Sequence, residues 1–424
     1  MLIESVSGMR GIVGKDLLPD VVVDRVLRFA AFTGGRRFLI ARDTRKSGEA
    51  ISSIVKGVLT FYGMDVYDAG IVPTPTALFY VRDRNLDGGF IITASHNPSE
   101  YNGIKFVTED GLFPLAWESK YYPEYSGASG REINVRDAVE VHLNRILRHF
   151  DGQKKKLRIC VDTNGGAAFF ALPELLRRMG HDAITLNSEP SGVFVHNPEP
   201  RKEHLVELDY LLRSGACDIG FGTDPDADRL ICGIKGMGIL SEEFTLPLAL
   251  LGYGKKATNV VVNYSTSMLV EFAAEKLGAR VIRTKVGEAN VVSKMKEVDA
   301  FLGGEGNGGV IFSHINSARD SLVGAFYITK LAENEDIGEI VSEFPGYYLA
   351  KEKIGIDDNV DLSVLESKIK ADFVSKDDGF YFKWKNAWLH VRKSNTEPII
   401  RIYAEADSED RARELVRKAI SIIA

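Results

Sequence analysis

The same succession of apolar and polar positions recurs three times along the chain. Phe38-Leu-Ile-Ala-Arg-Asp43 reads as a strand, residues 47–62 as a helix, and Gly63-Met-Asp-Val-Tyr67 as a turn back into a strand. Leu157-Arg-Ile-Cys-Val-Asp162, a helix over 168–179 and Gly180-His-Asp-Ala-Ile184 repeat that order. Asn259-Val-Val-Val-Asn263, a helix over 267–277 and Gly278-Ala-Arg-Val-Ile282 repeat it again. In each unit the glycine suits a helix C-cap, and the apolar residues after it suit a buried strand. Strand–helix–strand units of this length favour parallel pairing with a right-handed crossover. Three similar α/β domains are expected.

Polar breaks place the boundaries. Asp151-Gly-Gln-Lys-Lys-Lys156 follows a helical stretch at 135–150, and a glycine-spaced turn at 233–238 ends the second unit. Residues 333–348 read as a last helix of the third, broken by Pro345-Gly346. The chain then changes character. Gly379-Phe-Tyr-Phe-Lys-Trp384, Trp388-Leu-His-Val-Arg392 and Ile399-Ile-Arg-Ile-Tyr-Ala404 read as strands joined by polar turns. Residues 408–424 read as an amphipathic helix, with Ala412, Leu415, Val416, Ala419, Ile420 and Ile423 at helical spacing behind a Ser408 N-cap. The expected domains are 1–151, 152–240, 241–347 and a small α+β domain at 348–424.

Composition narrows the class. A chain of 424 residues suits three or four domains, and 45% apolar with 26% charged residues are the proportions of a soluble globular protein. A net charge of -6 disfavours non-specific nucleic-acid binding, yet permits a locally basic pocket for an anionic substrate. Cys160, Cys217 and Cys232 form no C-x-x-C pair and read as buried free thiols in a reducing compartment. No apolar run approaches the ~20 residues of a membrane span. Met1-Leu-Ile-Glu-Ser5 lacks the basic-then-apolar order of a secretory signal. A cytoplasmic protein with no membrane partner is expected.

Two polar loops carry candidate chemistry. The apolar Gly89-Phe-Ile-Ile92 leads into Thr93-Ala-Ser-His-Asn-Pro-Ser-Glu-Tyr-Asn-Gly-Ile-Lys-Phe106, where Asn97-Pro98 and Asn102-Gly103 are turn chemistry. Ser95 therefore sits where a strand ends, with its hydroxyl free to project into a cleft. In Thr223-Asp-Pro-Asp-Ala-Asp-Arg-Leu230, Asp224, Asp226 and Asp228 alternate, and an extended backbone puts alternate side chains on one face. Three converging carboxylates suit a hard cation such as Mg²⁺, although acidic turns are also common on surfaces. The spacing is not that of an EF-hand.

Together these loops resemble the α-D-phosphohexomutase superfamily, which includes phosphoglucomutases, phosphomannomutases and phosphoglucosamine mutases. Gly303-Gly-Glu-Gly-Asn-Gly-Gly309 and Arg392-Lys-Ser-Asn-Thr-Glu-Pro398 fit the same family, in its order and across most of the chain. Ser7-Gly-Met-Arg-Gly-Ile-Val-Gly14, by itself a surface turn, resembles the family's amino-terminal arginine loop with Arg10 in an altered register. The resemblance implies four domains, three α/β with mixed sheets and a smaller α+β one, around a central active-site cleft.

The resemblance also implies roles. Ser95 carries a phosphoryl group, and its phosphate oxygen completes a Mg²⁺ shell made by Asp224, Asp226 and Asp228. Arg229 and Arg10 serve transition-state charge. Lys105 is favoured as acid/base and His96 as a phosphate contact, because neighbours in a strand point to opposite faces; a lysine base would need a lowered pKa. Glu305 and Asn307 contact the sugar, with Lys285 nearby. Arg392, Ser394, Asn395, Thr396 and Arg401 suit the phosphate that does not react. Phosphoserine 95 would phosphorylate a hexose monophosphate to a 1,6-bisphosphate, also the expected activator, which turns over before returning a phosphoryl group. Turnover asks for a hinge near residues 346–355.

Many phosphoglucomutases and phosphomannomutases have Ser and His where this chain has Asn307 and Gly309. The variant resembles enzymes assigned to glucosamine phosphate, which ranks that substrate ahead of mannose and glucose phosphates. A monomer or homodimer is expected. Two other readings compete: a Mg²⁺-dependent sugar phosphatase and a non-catalytic sugar-phosphate-binding protein.

Overall fold

The computed structural model describes residues 2–5, 8–355, 360–394 and 399–423, and every count or absence given below is made over these. Two short strands, β1 (Ile3–Ser5) and β2 (Gly8–Ile12), open the chain. The glycine-punctuated stretch around Arg10 is thus a strand with hydrogen-bonded partners on both sides and not a surface turn. A unit then appears three times: helix, strand, helix, strand, helix, strand, strand.

The first unit holds α1 (Pro19–Thr33), β3 (Arg37–Arg42), α2 (Gly48–Phe61), β4 (Asp65–Ile71), α3 (Thr74–Asp83), β5 (Gly88–Ile92) and β6 (Tyr101–Thr108). After β7 (Glu132–Asn134) come α4 (Ala138–Leu147), β8 (Arg158–Asp162), α5 (Ala171–Arg178), β9 (Asp182–Leu186), α6 (Val206–Arg213), β10 (Ile219–Thr223) and β11 (Leu230–Ile234). After β12 (Gly238–Ile239) come α7 (Thr245–Tyr253), β13 (Asn259–Asn263), α8 (Leu269–Lys276), β14 (Arg280–Thr284), α9 (Glu288–Glu297), β15 (Leu302–Glu305) and β16 (Gly309–Phe312). The glycines expected to close α2, α5 and α8 do so with positive φ at Gly63, Gly180 and Gly278.

Strand order repeats as well: β4-β3-β5-β6, β9-β8-β10-β11 and β14-β13-β15-β16. In each set three strands are parallel and the fourth is antiparallel. Strands such as β10 and β13 are buried on both faces, as parallel pairing between helix layers demands. The turn from third to fourth strand therefore falls at the same place in every unit, at 93–100, 224–229 and 306–308. These are the three candidate loops.

The second and third units are fused by one apolar cluster that runs from Leu143 and Leu172 through Phe221 and Leu246 to Phe326. Of the helix expected over 333–348, only 337–343 forms as a separate helix. Glu333 lies in the last turn of α10 (Ser321–Asn334), and Asp336 caps a new helix, α11 (Ile337–Glu343), by accepting from the Gly338 and Glu339 amides. Pro345 cannot extend that helix, and β17 (Tyr348–Gly355) begins three residues later.

Behind β17 come α12 (Val364–Lys368), β18 (Phe373–Ser375), β19 (Phe380–Trp384), β20 (Ala387–Lys393), β21 (Ile399–Ala406) and α13 (Glu409–Ile423). They form an antiparallel sheet ordered β17-β21-β20-β19-β18, with α13 packed on one face. Its other face meets the third unit, where Tyr381 and Trp388 pack on Tyr264 and Met268. Glu405 is buried in that seam, accepting from the Met268 amide at 2.7 Å and Trp388 Nε1 at 2.9 Å. The hinge expected over 346–355 is corrected by β17, which is paired with β21 along its whole length. Only the connection before Tyr348 lies outside that ladder.

The expectation of three free thiols also needs correction. Cys160 on β8 and Cys217 just before β10 are joined as a disulfide with Cα atoms 6.0 Å apart, because the parallel β8–β10 pairing brings together residues distant in sequence. Cys232 is free and buried. No described helix is long and apolar enough to cross a membrane.

Candidate active site

The three loops converge on a cleft of about 500 Å³. At the end of β5 the backbone of Ser95 turns left-handed, with φ 49°. Buried Arg45 holds that bend: its guanidinium donates to the carbonyls of Ser95, Asn97, Pro98 and Tyr101, and to Asp43 Oδ2 at 3.0 Å. With the loop's carbonyls gathered behind it, the Ser95 hydroxyl faces the cleft. Arg10 enters from β2 and donates to Asn97 Oδ1 at 2.9 Å.

Ser95 Oγ lies 2.9 Å from Asp224 Oδ2 across the interface of the first and second units. Asp224, Asp226 and Asp228 are buried, and their carboxylate oxygens gather within 4.8 Å of one another. Asp226 Oδ1 and Asp228 Oδ1 are buried without a hydrogen-bond partner. Burial, then the charges of Asp226 and Asp228, push the Asp224 carboxyl well above its ordinary range. An oxygen-only donor set, crowded enough that Asp224 resists ionisation and with two oxygens unsatisfied, fits a hard divalent cation such as Mg²⁺.

Lys105 sits on β6 beside this cluster, with Nζ 2.6 Å from Asp226 Oδ2 and 2.9 Å from Asp228 Oδ2. Burial disfavours its charge, but the two carboxylates outweigh that and hold the ammonium above its ordinary value. The lowered pKa expected of a lysine base is not found. His96 behaves in the opposite sense: the Arg229 charge, then burial and Arg10, push it well below its ordinary value. Its Nδ1 is 3.3 Å from Ser95 Oγ. Strand alternation was expected to separate these two side chains, but Ser95 is left-handed and not extended, so they share a face. The neutral nitrogen beside the serine hydroxyl is that of the histidine.

Arg229 lines the cleft, its amide donating to Asp224 Oδ1 at 3.1 Å. Arg319, which no motif marked, is the link between loops. Its guanidinium reaches Asp228 Oδ2 at 2.9 Å, Glu288 Oε2 at 2.8 Å and Glu305 Oε2 at 3.0 Å. Burial opposes ionisation of Asp228, yet Arg319, Lys105 and Arg229 keep it below its ordinary value.

Glu305 ends β15 and is anchored further by Asn263 Nδ2 at 2.7 Å and the Gly287 amide at 3.0 Å. Asn307 is in the turn that follows and lines the cleft. A Cβ on Gly306 would collide with the Glu243 carboxylate, and one on Gly308, at φ +83°, with the Leu230 carbonyl at the start of β11. Lys285 is exposed and outside the cleft lining. Gly287, at φ +119°, turns the chain so that Glu288 enters the cleft instead. From the C-terminal domain, Arg392, Ser394 and Arg401 line the opposite wall, with Arg392 and Arg401 paired across β20 and β21. Asn395 and Thr396 lie outside the described residues.

A buried serine between a neutral imidazole and a carboxylate cluster, facing a pair of arginines across a polar cleft, is equipment for moving phosphoryl groups on an anionic substrate. Comparison with known proteins identifies the class. Residues 2–116, 140–237 and 245–348 match alpha/beta/alpha domains I, II and III of Phosphoglucomutase/phosphomannomutase, and residues 330–421 match its C-terminal domain. The chain belongs to this phosphohexomutase family and is an isomerase of the intramolecular phosphotransferase type.

A relative from Methanopyrus kandleri named "Probable phosphoglucosamine mutase" is 34% identical over 98% of this chain and 96% of its own. A "Phosphoglucomutase/phosphomannomutase" from Thermococcus kodakarensis is 32% identical over 98% and 97%. In structure the chain resembles a phosphoglucomutase/phosphomannomutase family protein from Burkholderia thailandensis, with TM-score 0.85, 24% identity and coverage of 98% and 96%.

Proposed function

We propose that the chain interconverts hexose 6-phosphate and hexose 1-phosphate through a phosphoserine at Ser95 and a 1,6-bisphosphate, with glucosamine phosphate the preferred substrate. The observation that carries this reading is the meeting of Ser95 Oγ and Asp224 Oδ2 at 2.9 Å, inside a cleft whose far wall holds Arg392 and Arg401. The substrate's phosphate is held by that arginine pair and Ser394, which presents the free hydroxyl to phosphoserine 95. The hydroxyl oxygen bonds to phosphorus as the bond to Ser95 Oγ breaks. Neutral His96, its Nδ1 3.3 Å from Ser95 Oγ, takes the proton the attacking hydroxyl gives up and passes it to the departing Oγ, and reverses that relay when the other phosphoryl group returns. Lys105, as a fixed cation, offsets the phosphoryl charge together with Arg10 and Arg229.

Asp224, Asp226 and Asp228 would hold Mg²⁺, which neutralises phosphoryl oxygens when bound. Glu305 and Asn307 face the sugar hydroxyls. The bisphosphate then exchanges its ends in the cleft and returns the other phosphoryl group to Ser95. Glucosamine is favoured by the Asn307–Gly309 variant of the sugar loop and by the name of the 34% identical relative.

A coupled turnover assay with Mg²⁺ and a trace of hexose 1,6-bisphosphate tests this. Glucosamine, mannose and glucose 6-phosphates are compared, with Ser95→Ala as control. Fastest conversion of the aminosugar and an inactive Ser95→Ala protein are expected. Release of inorganic phosphate without isomerisation would put a phosphatase in its place.

A further inference from the structure

We infer that Thr74, at the first turn of α3, is a positioning residue that aims Asp226 at the cation. The inference rests on the metal role proposed for the aspartate loop. Asp226 belongs to the second unit, but its orientation is fixed from the first. Thr74 Oγ1 donates to Asp226 Oδ2 at 2.8 Å, and the Thr74 amide donates to the Asp226 carbonyl at 2.8 Å. Both Thr74 and Asp226 are buried.

Together with Lys105 Nζ at 2.6 Å, these contacts occupy Oδ2 and the backbone, while the buried Oδ1 has no partner. A carboxylate with one oxygen tethered and the other bare has one oxygen to give a metal. Outer partners that orient a ligand in this way are commonly worth about 10–100-fold in metal affinity. The tether has an architectural consequence. Thr74 lies in a turn wedged among three units: Pro75 accepts from Asn316 Nδ2 at 3.0 Å, ahead of α10. Cation affinity then depends on how the first unit seats on the second.

The test is Mg²⁺ titration by isothermal calorimetry of the full chain, comparing native protein with Thr74→Val, Thr74→Ala, Thr74→Ser and Asp226→Ala. Thr74→Val keeps the shape and removes the donor; Thr74→Ala removes it independently of how valine packs. Weakening of about 10-fold or more in both, native affinity in Thr74→Ser, and an unchanged melting temperature without added metal are expected. Native Mg²⁺ affinity in both Thr74→Val and Thr74→Ala would overturn the inference and leave the metal site standing. Native affinity in Asp226→Ala, or no Mg²⁺ binding by the native chain, would overturn the metal assignment and the inference with it.

Discussion

The aspartate loop at 224–229 and the sugar loop at 306–308 occupy the same turn of the same topology, one unit apart. They solve different problems with it. The first is long enough to project three carboxylates, whose charge is balanced by Lys105 and Arg319 from outside the turn and by Arg229 at its end. The second is short and built from glycine, so that its backbone lies against neighbours where no side chain would fit. Topology fixes where a ligand meets the chain, at the carboxyl end of a parallel strand, and the turn's composition decides what is met there. Arg319 makes the two loops one object, since it binds Asp228 of one and Glu305 of the other.

Cutting that link is the most damaging way to test the comparison. Arg319→Gln leaves three buried carboxylates short of a partner and should cost about 3–5 kcal/mol of stability, read by urea denaturation, with a collapse of kcat/KM. Native stability would mean that the loops are independent. Gly308→Ala attacks the seating of the sugar loop on β11. With positive φ and a collision against the Leu230 carbonyl, a loss of about 1–3 kcal/mol is expected in the same measurement. A neutral result would show that the close approach is not needed.

The remaining effect is read as a change with pH and lies beneath Gly306. Burial, opposed by Lys351 and reinforced by Glu242, pushes Glu243 from 4.5 to about 8. The folded state then holds this proton more tightly than the unfolded one, so stability falls as pH rises from 4.5 to about 8, with the full loss present above that. Glu243→Gln should flatten that fall in melting temperature between pH 5 and about 9. Parallel curves for the two proteins would remove Glu243 from the account.

Much of this was legible in the sequence, for physical reasons. The strand–helix–strand halves of the repeat announce themselves through apolar runs and the glycines that close α2, α5 and α8. Their continuations do not. Ile219-Gly-Phe-Gly-Thr223 and Leu302-Gly-Gly-Glu305 alternate with glycine, so β10 and β15 carry little apolar signal, and the recurrence of the full unit stays hidden. The same holds for β17, whose Lys351-Glu-Lys353 hides a strand where a hinge was expected.

In the cleft, residues inside compact motifs were found, and those that act across long sequence distances were not. Arg319, Thr74 and Arg45 stand outside the aspartate, sugar and serine motifs and work on residues far along the chain. A weak signal did exist for Arg45: Asp43-Thr-Arg45 is polar and follows a predicted strand at its carboxyl end, where sites gather. Where the surroundings of a motif residue differ from those expected, long-range contacts and local backbone are the cause: Asp226 and Asp228 keep Lys105 charged, and the left-handed Ser95 brings His96 to its hydroxyl.

The apolar cluster shared by the second and third units makes the chain modular in topology but not in stability. A cut near residue 240 would separate two halves, each exposing an apolar face that only the other can cover. The cooperative unit of unfolding is therefore larger than the repeat, and amides of β10 and β13 should exchange with solvent together, at one free energy.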